Sequence, residues 1–390
     1  MLVPIIVGIL LGIVAGLLPG IHPNTMSQLL TYIELNKLDQ AIIITVSASV
    51  NTVLSVLPAI FLFIPDQSTI LSVLPGQRMV NNGDGLKAVW ISGMAALLSI
   101  AVLVFVIPVS FFAIPMIFQT IKPFIGPILI SIVLFYLLQE KGSKKLSAAF
   151  VFLLSGFLGW TILNSTVLHE PLFVSFIGLF ALASMLFSVD KTSIPYQRRI
   201  RHEKISFGLL AVVLAGVVLG GLADLLPAVG SPAQLATFAT PIAAISSSSF
   251  LALTMAISIS HLAHSFVALN TIDKARIGST AIIRELIGTP DFQTTILFLL
   301  ISLVSIAVAV VLLWIIAIPL IQFLRRTDLR KFNLAIFAYL TVSIFLVDGW
   351  LGIFVAIVAA AIGILPVLLD VRRTNLMGFL IVPTICFWLV

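Results

Sequence analysis

Near the N-terminus a long apolar stretch runs into Leu18-Pro19-Gly20-Ile21-His22-Pro23-Asn24-Thr25, and nothing else in the chain constrains its fold as much. Two prolines and a glycine within five positions end a regular helix, because proline has no amide donor and glycine weakens a helix interior. The surroundings are a membrane. The chain is 60% hydrophobic and 9% charged over 390 residues, with a mean hydropathy of +1.23, beyond what an ordinary soluble domain tolerates. At about 20 apolar residues per crossing, its apolar runs supply about 10 transmembrane spans plus shorter hairpin elements. Non-helical backbone at that depth is tolerated only where protein covers it or where it lines a wet cavity. The break therefore predicts a lined site on a discontinuous helix, as in transporters.

Composition excludes other classes. The formal net charge of +6 is small for this length, and the basic residues are clustered, which suits loops beside anionic lipid and not a nucleic-acid surface. The single cysteine, Cys386, excludes an intrachain disulfide and any multi-cysteine metal or iron-sulfur centre. No nucleotide-binding loop or serine-hydrolase elbow is present. The chain reads as a multi-pass cell-membrane protein without enzymatic activity, cofactor or metal, driven by the substrate's own gradient or by a coupling ion, H+ or Na+. Membrane lipids surround it, and assembly into a homo-oligomer is left open. The N-terminus lacks the basic region of a signal peptide, so its apolar run is expected to be a retained membrane segment.

The organisation is that of two halves. In the first apolar run Gly8, Gly12 and Gly16 fall on one helix face and let a neighbouring backbone approach closely. Residues 26–35 are too short to cross and suit the second arm of a re-entrant hairpin. Residues 41–64 carry Ser47, Ser49, Asn51, Thr52 and Ser55 and contain Pro58, as one kinked span or a second broken helix. Residues 66–87 form a polar loop in which Arg78 follows Pro75-Gly76. In the later spans Pro108, Pro115, Pro123 and Pro127 mark kinks or boundaries. Lys141, Lys144 and Lys145 lie two spans before Lys191, Arg198, Arg199, Arg201 and Lys204, which places both clusters on the cytoplasmic side.

The second half opens as the first did. Residues 208–226 contain Gly216, Gly220 and Gly221 and end in Pro227-Ala228-Val229-Gly230-Ser231-Pro232. A serine-rich stretch follows, with Ser246 to Ser249 as a hydroxyl-lined break or a flexible link, then Ser258, Ser260, His261, His264 and Ser265. This is an internal repeat of about 200 residues, the size of a transporter half. The expected fold is an all-α polytopic membrane protein of two inverted-topology repeats with re-entrant or broken helices. Residues 1–189 are the first transmembrane half, 190–204 a basic cytoplasmic connector and 205–390 the second half. Asp348, between two apolar runs, reads as an interface turn with Trp350 as anchor.

A half-helix whose N-terminus points at the bilayer midplane offers free amides and the positive end of its dipole, which suit a carboxylate or phosphate. Proline fits the first turn of such a helix, and Asn24 or Thr25 can cap it or reach the ligand. His22 is either a proton-dependent donor or a structural hydrogen-bonding group. His261 and His264 share a helix face. No Asp, Glu or Cys stands on their run to complete a zinc site, so lining a polar cavity is the better reading. Arg78 is the best cationic candidate, although a solvated or headgroup-facing arginine fits equally. The candidate substrate-binding set is Pro19, Gly20, His22, Asn24 and Thr25 from the first break and Gly230 and Ser231 from the second. Asn51, Arg78, His261 and His264 are lining residues.

The run Gly12-Ile13-Val14-Ala15-Gly16-Leu17-Leu18-Pro19-Gly20, then Ile64-Pro65-Asp66, then Asn82-Gly83-Asp84-Gly85-Leu86-Lys87-Ala88 resembles the TctA family, the large membrane subunit of tripartite tricarboxylate transporters. The resemblance implies an inverted-repeat secondary transporter of carboxylate-type anions, here in a compact, divergent form. The family's second Pro-Gly is Pro65-Asp66, its Gly-Gly-Ser stretch is missing near residues 47–51, and 390 residues is short for this subunit. The alternative is a translocase of polyprenyl-phosphate lipid carriers, whose paired Pro-Gly re-entrant elements this chain also resembles. The ligand is thus a small anionic substrate or a lipid phosphate.

Overall fold

The computed structural model of the chain describes residues 1–18, 35–62, 73–188, 194–198, 206–229, 235–236 and 246–389, and no strand occurs among them. The first half runs α1 (Leu2–Leu17), α2 (Lys37–Leu54), α3 (Val56–Phe61), α4 (Val73–Asn81), α5 (Gly85–Ile121), α6 (Ile125–Leu138) and α7 (Lys144–Leu163). It closes with α8 (Pro171–Phe176), which continues through a π-helical turn, Ile177–Leu182, into α9 (Ala183–Ser188). The second half runs α10 (Phe207–Ala223), α11 (Ser247–Ile272), α12 (Gly278–Ile287), α13 (Phe292–Arg326), α14 (Leu329–Leu368) and α15 (Gly378–Leu389). Six helices among the described residues are long and apolar enough to cross a membrane, where about 10 spans were expected. Shorter apolar helices, α1 and α10 among them, lie beside these.

The two least apolar of these spans are the most deeply buried. In the most apolar windows of Lys37–Phe61 and Ser247–Ile272, 94% and 89% of residues are buried, against 28% in the more apolar Gly85–Leu138. Polar side chains in lipid need protein partners, so the polar-rich helices are inside and the purely apolar faces are outside. Thr45, Ser49 and Thr52 of α2 donate to the carbonyls of Ala41, Thr45 and Ala48, and Ser258 and Ser265 of α11 to those of Thr254 and Leu262. Phe105, Phe112, Leu146 and Phe354 stand exposed on the outer helices, as lipid contact requires.

The glycines do what their spacing predicts, and they do it twice. A Cβ added at Gly8 or Gly12 of α1 would lie 2.6 Å from the Cβ of Val46 or Val50 on α2, and one at Gly16 2.7 Å from that of Leu54. On α10, a Cβ at Gly216 or Gly220 would lie 2.5 Å from the Cβ of Ala256 or Ser260 on α11. Without a hydrophobic drive between helices in lipid, such backbone proximity is what holds a pair together. Helices far apart in the sequence also pack together: α5 along α11, α13 along α2, and α15 along α7.

Several local expectations change. Within the polar stretch at 66–87, residues 73–81 are helical: Pro75 sits in the first turn of α4, where a missing amide costs nothing, and Arg78 projects from that helix, exposed. Residues 63–72 lie outside the described residues. Pro108 and Pro115 are inside the continuous α5, not at its ends. Among its described residues, 41–62, the run from residue 41 is one span interrupted at Ser55. Residues 247–249 form the first turn of α11, and the Ser246 hydroxyl accepts from the Ser249 amide and caps that helix. Gly349 (φ 60°, ψ −152°) breaks α14 after Asp348, whose carboxylate accepts from the amides of His169 and Glu170. From the connector, Gln197 accepts from the Gly85 amide (2.7 Å) and donates to the Val80 carbonyl (3.0 Å). Arg198 donates to the carbonyls of Gly83 and Asn82, which docks residues 194–198 on the α4–α5 turn.

Asp273 closes α11 in the left-handed region (φ 51°). The Thr289 hydroxyl, and after it Arg284, holds its carboxyl below the usual carboxylate range. A lowered folded-state value contributes stability above the unfolded carboxylate value and loses it as pH falls through the folded value. The pair is solvent-exposed, so the effect is small. Asp273→Asn is expected to flatten slightly the acid limb of a plot of unfolding midpoint against pH; an unchanged limb would remove this contribution.

Candidate functional site

α10 has 17 residues, about 25 Å at 1.5 Å per residue, too short for a hydrocarbon core of about 30 Å. It ends against the middle of the 26-residue α11. Its last turn would leave free carbonyls at membrane depth, and this is where charge gathers. Asp224, the first residue past α10, is fully buried. Arg276, between α11 and α12, donates from Nε to the Asp224 carbonyl oxygen (3.1 Å), placing a cation at the negative end of the helix dipole. Ala228 then takes φ 63°, an unusual conformation for a residue with a Cβ, and turns the chain beyond Pro227.

The two histidines differ in their surroundings. His264 is buried with both ring nitrogens partnered: Nδ1 donates to the Ser260 carbonyl (2.8 Å), and Nε2 lies 2.8 Å from the Ser110 hydroxyl of α5. Ser110 has a second acceptor, the Val106 carbonyl at 2.9 Å. Its single proton can therefore serve a neutral imidazole, or turn to Val106 and accept from an imidazolium. Ser260 meanwhile donates to the Val217 carbonyl of α10 (2.6 Å). His261 is the unsatisfied one. Its Nε2 lies 3.5 Å from Asp224 Oδ1, within ion-pair range, yet this nitrogen and both Asp224 carboxylate oxygens are buried without a hydrogen bond. Arg276 Nη2 is likewise buried and unpartnered.

His261 and His264 are thus brought together with Asp224, Arg276, Ser110 and Ser260. Asn51 is buried on α2, and Arg78 stays exposed on α4, outside this cluster. Pro19, Gly20, His22, Asn24, Thr25, Gly230 and Ser231 lie outside the described residues. Sequence reasoning missed Asp224, although a carboxylate in the apolar run before Pro227 is itself a signal. Ser110 carries none, since it reaches the cluster from a distant part of the chain, and Arg276 meets Asp224 only because the segment after α11 folds back over the end of α10. No group of three His, Cys, Asp or Glu residues able to hold a metal occurs among the described residues.

Fold and cluster define a helical multi-pass membrane protein with charged groups buried in its interior. The chain belongs to the tripartite tricarboxylate transporter TctA family, whose sequence profile matches residues 2–378, well past the motifs at residues 12–88 that carried the resemblance. The uncharacterized protein MJ1079 of Methanocaldococcus jannaschii is 28% identical over 306 residues, which cover 74% of this chain and 72% of that protein. No solved structure matches.

Proposed function

We propose that the chain is a secondary transporter of the cell membrane that carries a carboxylate-type anion by alternating access between two inverted halves. The anion is held by backbone amides of the two broken-helix elements, residues 19–25 and 227–233, with side chains tuning selectivity. The observation that carries this reading is the end of two short glycine helices, α1 at Leu17 and α10 at Ala223, each packed on a buried polar helix. Membership of the TctA family supports a tricarboxylate or related acid as substrate. The packing of α5 along α11 and of α13 along α2, each across the two proposed halves, supports a two-repeat mechanism.

Reconstituted protein is expected to take up citrate. His22→Ala and Asn24→Ala are each expected to weaken its apparent affinity about tenfold, since a hydrogen bond to a charged group contributes about 1.5 kcal/mol. Uptake indifferent to both changes would remove the first break from the site. Thermal stabilisation by a short-chain polyprenyl phosphate, with none by citrate, would replace the carboxylate by a lipid phosphate.

A further inference from the structure

We propose that Asp224 and His261 hold one exchangeable proton beside the second helix break, and that loading this proton favours the anion bound there. The coupling half of the proposal rests on the anion-transport reading above. The site itself rests on geometry alone.

Buried polar groups in folded proteins are satisfied, and those that are not call for an explanation. Here both carboxylate oxygens of Asp224, Nε2 of His261 and Nη2 of Arg276 are buried without hydrogen bonds, and all belong to one cluster. His264, one turn along the same helix, has a partner for each ring nitrogen. The fold can thus satisfy a buried histidine here, and it leaves His261 unsatisfied. A permanent ion pair at this depth would need close, hydrogen-bonded geometry to offset its desolvation. The 3.5 Å gap leaves the two groups in ion-pair range without a hydrogen bond between them.

The charges facing the pair give the proton its effect. α10 contributes Asp224, α11 contributes His264, and the segment before α12 contributes Arg276, which lies in the field of Asp224. α5 and α13 pack along α11, but Lys87 sits at the start of α5 and Arg325 and Arg326 at the end of α13. Arg78 on α4 is exposed, and Arg284 of α12 pairs with Asp273 at the surface. Without the proton, Asp224 balances Arg276. A proton taken from water forms one O–H or N–H bond and raises the cluster's charge by one. That charge lies three residues before Pro227, so it favours an anion at the break, and by linkage a bound anion favours the proton.

The test has two arms. In the first, infrared difference spectra of the reconstituted full-length protein between mildly acidic and mildly alkaline buffer are recorded without any carboxylate. A protonated-carboxyl band is expected that is lost in the isosteric Asp224→Asn, shifted in His261→Gln and kept in Asp273→Asn. A spectrum unchanged by both cluster variants, or changes that follow sodium and not pH, overturns the proton site. In the second arm, citrate binding is expected to draw protons from a weakly buffered solution. Its affinity should rise about tenfold on acidification beyond the change that citrate's own protonation causes, within the usual range of site-to-site coupling, and that excess should be lost in Asp224→Asn. Citrate binding without proton uptake overturns the coupling. A protein with the infrared band that binds no citrate supports the proton site and refutes the carboxylate reading. If Asp224→Asn does not fold, the His261→Gln shift decides the first arm and its loss of that excess the second.

Discussion

Replacing Gly220 by valine is expected to destabilise the protein by about 3 kcal/mol or more, at the upper end of what overpacking costs. The first added carbon alone would stand 2.5 Å from the Ser260 Cβ, 2.6 Å from the Ile257 carbonyl oxygen and 2.9 Å from the His261 amide nitrogen. Two of these are backbone atoms of a buried helix, so the clash cannot be relieved by a rotamer change. Separating α10 from α11 would pull the Val217 carbonyl from Ser260 and shift Asp224 relative to His261. The measurement is the unfolding midpoint in detergent together with the size-exclusion profile. Gly208→Val, whose added carbon meets only the Ser206 hydroxyl at 3.8 Å, serves as control and should shift by no more than about 0.5 kcal/mol. Gly12→Val should reproduce the loss in the first half, where Val50 Cβ and the Ser47 carbonyl lie 2.6 and 2.9 Å away. A Gly220→Val protein as stable as the Gly208 control would refute the close-packed interface.

Arg276→Gln is expected to cost about 2 kcal/mol, because it takes the donor from a buried carbonyl and a cation from the field of a buried carboxylate. Two losses combine. The Asp224 carbonyl loses its donor at the end of α10, and the Asp224 carboxylate loses the nearby cation. The second loss disappears when the carboxylate is made neutral. In the Asp224→Asn background the same arginine change should therefore cost less, by about 1 to 2 kcal/mol, as coupled neighbours do in a double-mutant cycle. Strictly additive changes would show that Arg276 acts on the helix end alone.

Much of this was legible in the sequence for reasons that are local. Gly8, Gly12 and Gly16, like Gly216 and Gly220, recur every four residues, and that spacing alone places them on one face where only a close helix partner fits. The ends of α1 at Leu17 and α10 at Ala223 come shortly before Pro19-Gly20 and Pro227, where a missing amide or a glycine weakens any continuation of the helix. Arg78 shows the opposite case. Pro75-Gly76 suggested a loop, yet proline is tolerated in a first turn, and α4 carries Arg78 to the surface. Pro108 and Pro115 are absorbed by a helix long enough to continue on both sides of them.

The candidate site divides along the same line. That His261 and His264 share a helix face follows from their spacing, but which of the two is satisfied does not. Ser110 comes from the other half, about 150 residues away, and only the crossing of α5 over α11 brings its hydroxyl to His264. Asp224 and Arg276 likewise meet because a short helix stops partway along a long one and the chain after α11 folds back to cover its end. The sequence by itself determined a helical membrane protein with glycine-packed helices that end at fixed points. Which polar groups share the buried space beside a break was decided only by the tertiary structure, because helix periodicity is local and the contacts that satisfy or strand a buried charge are not.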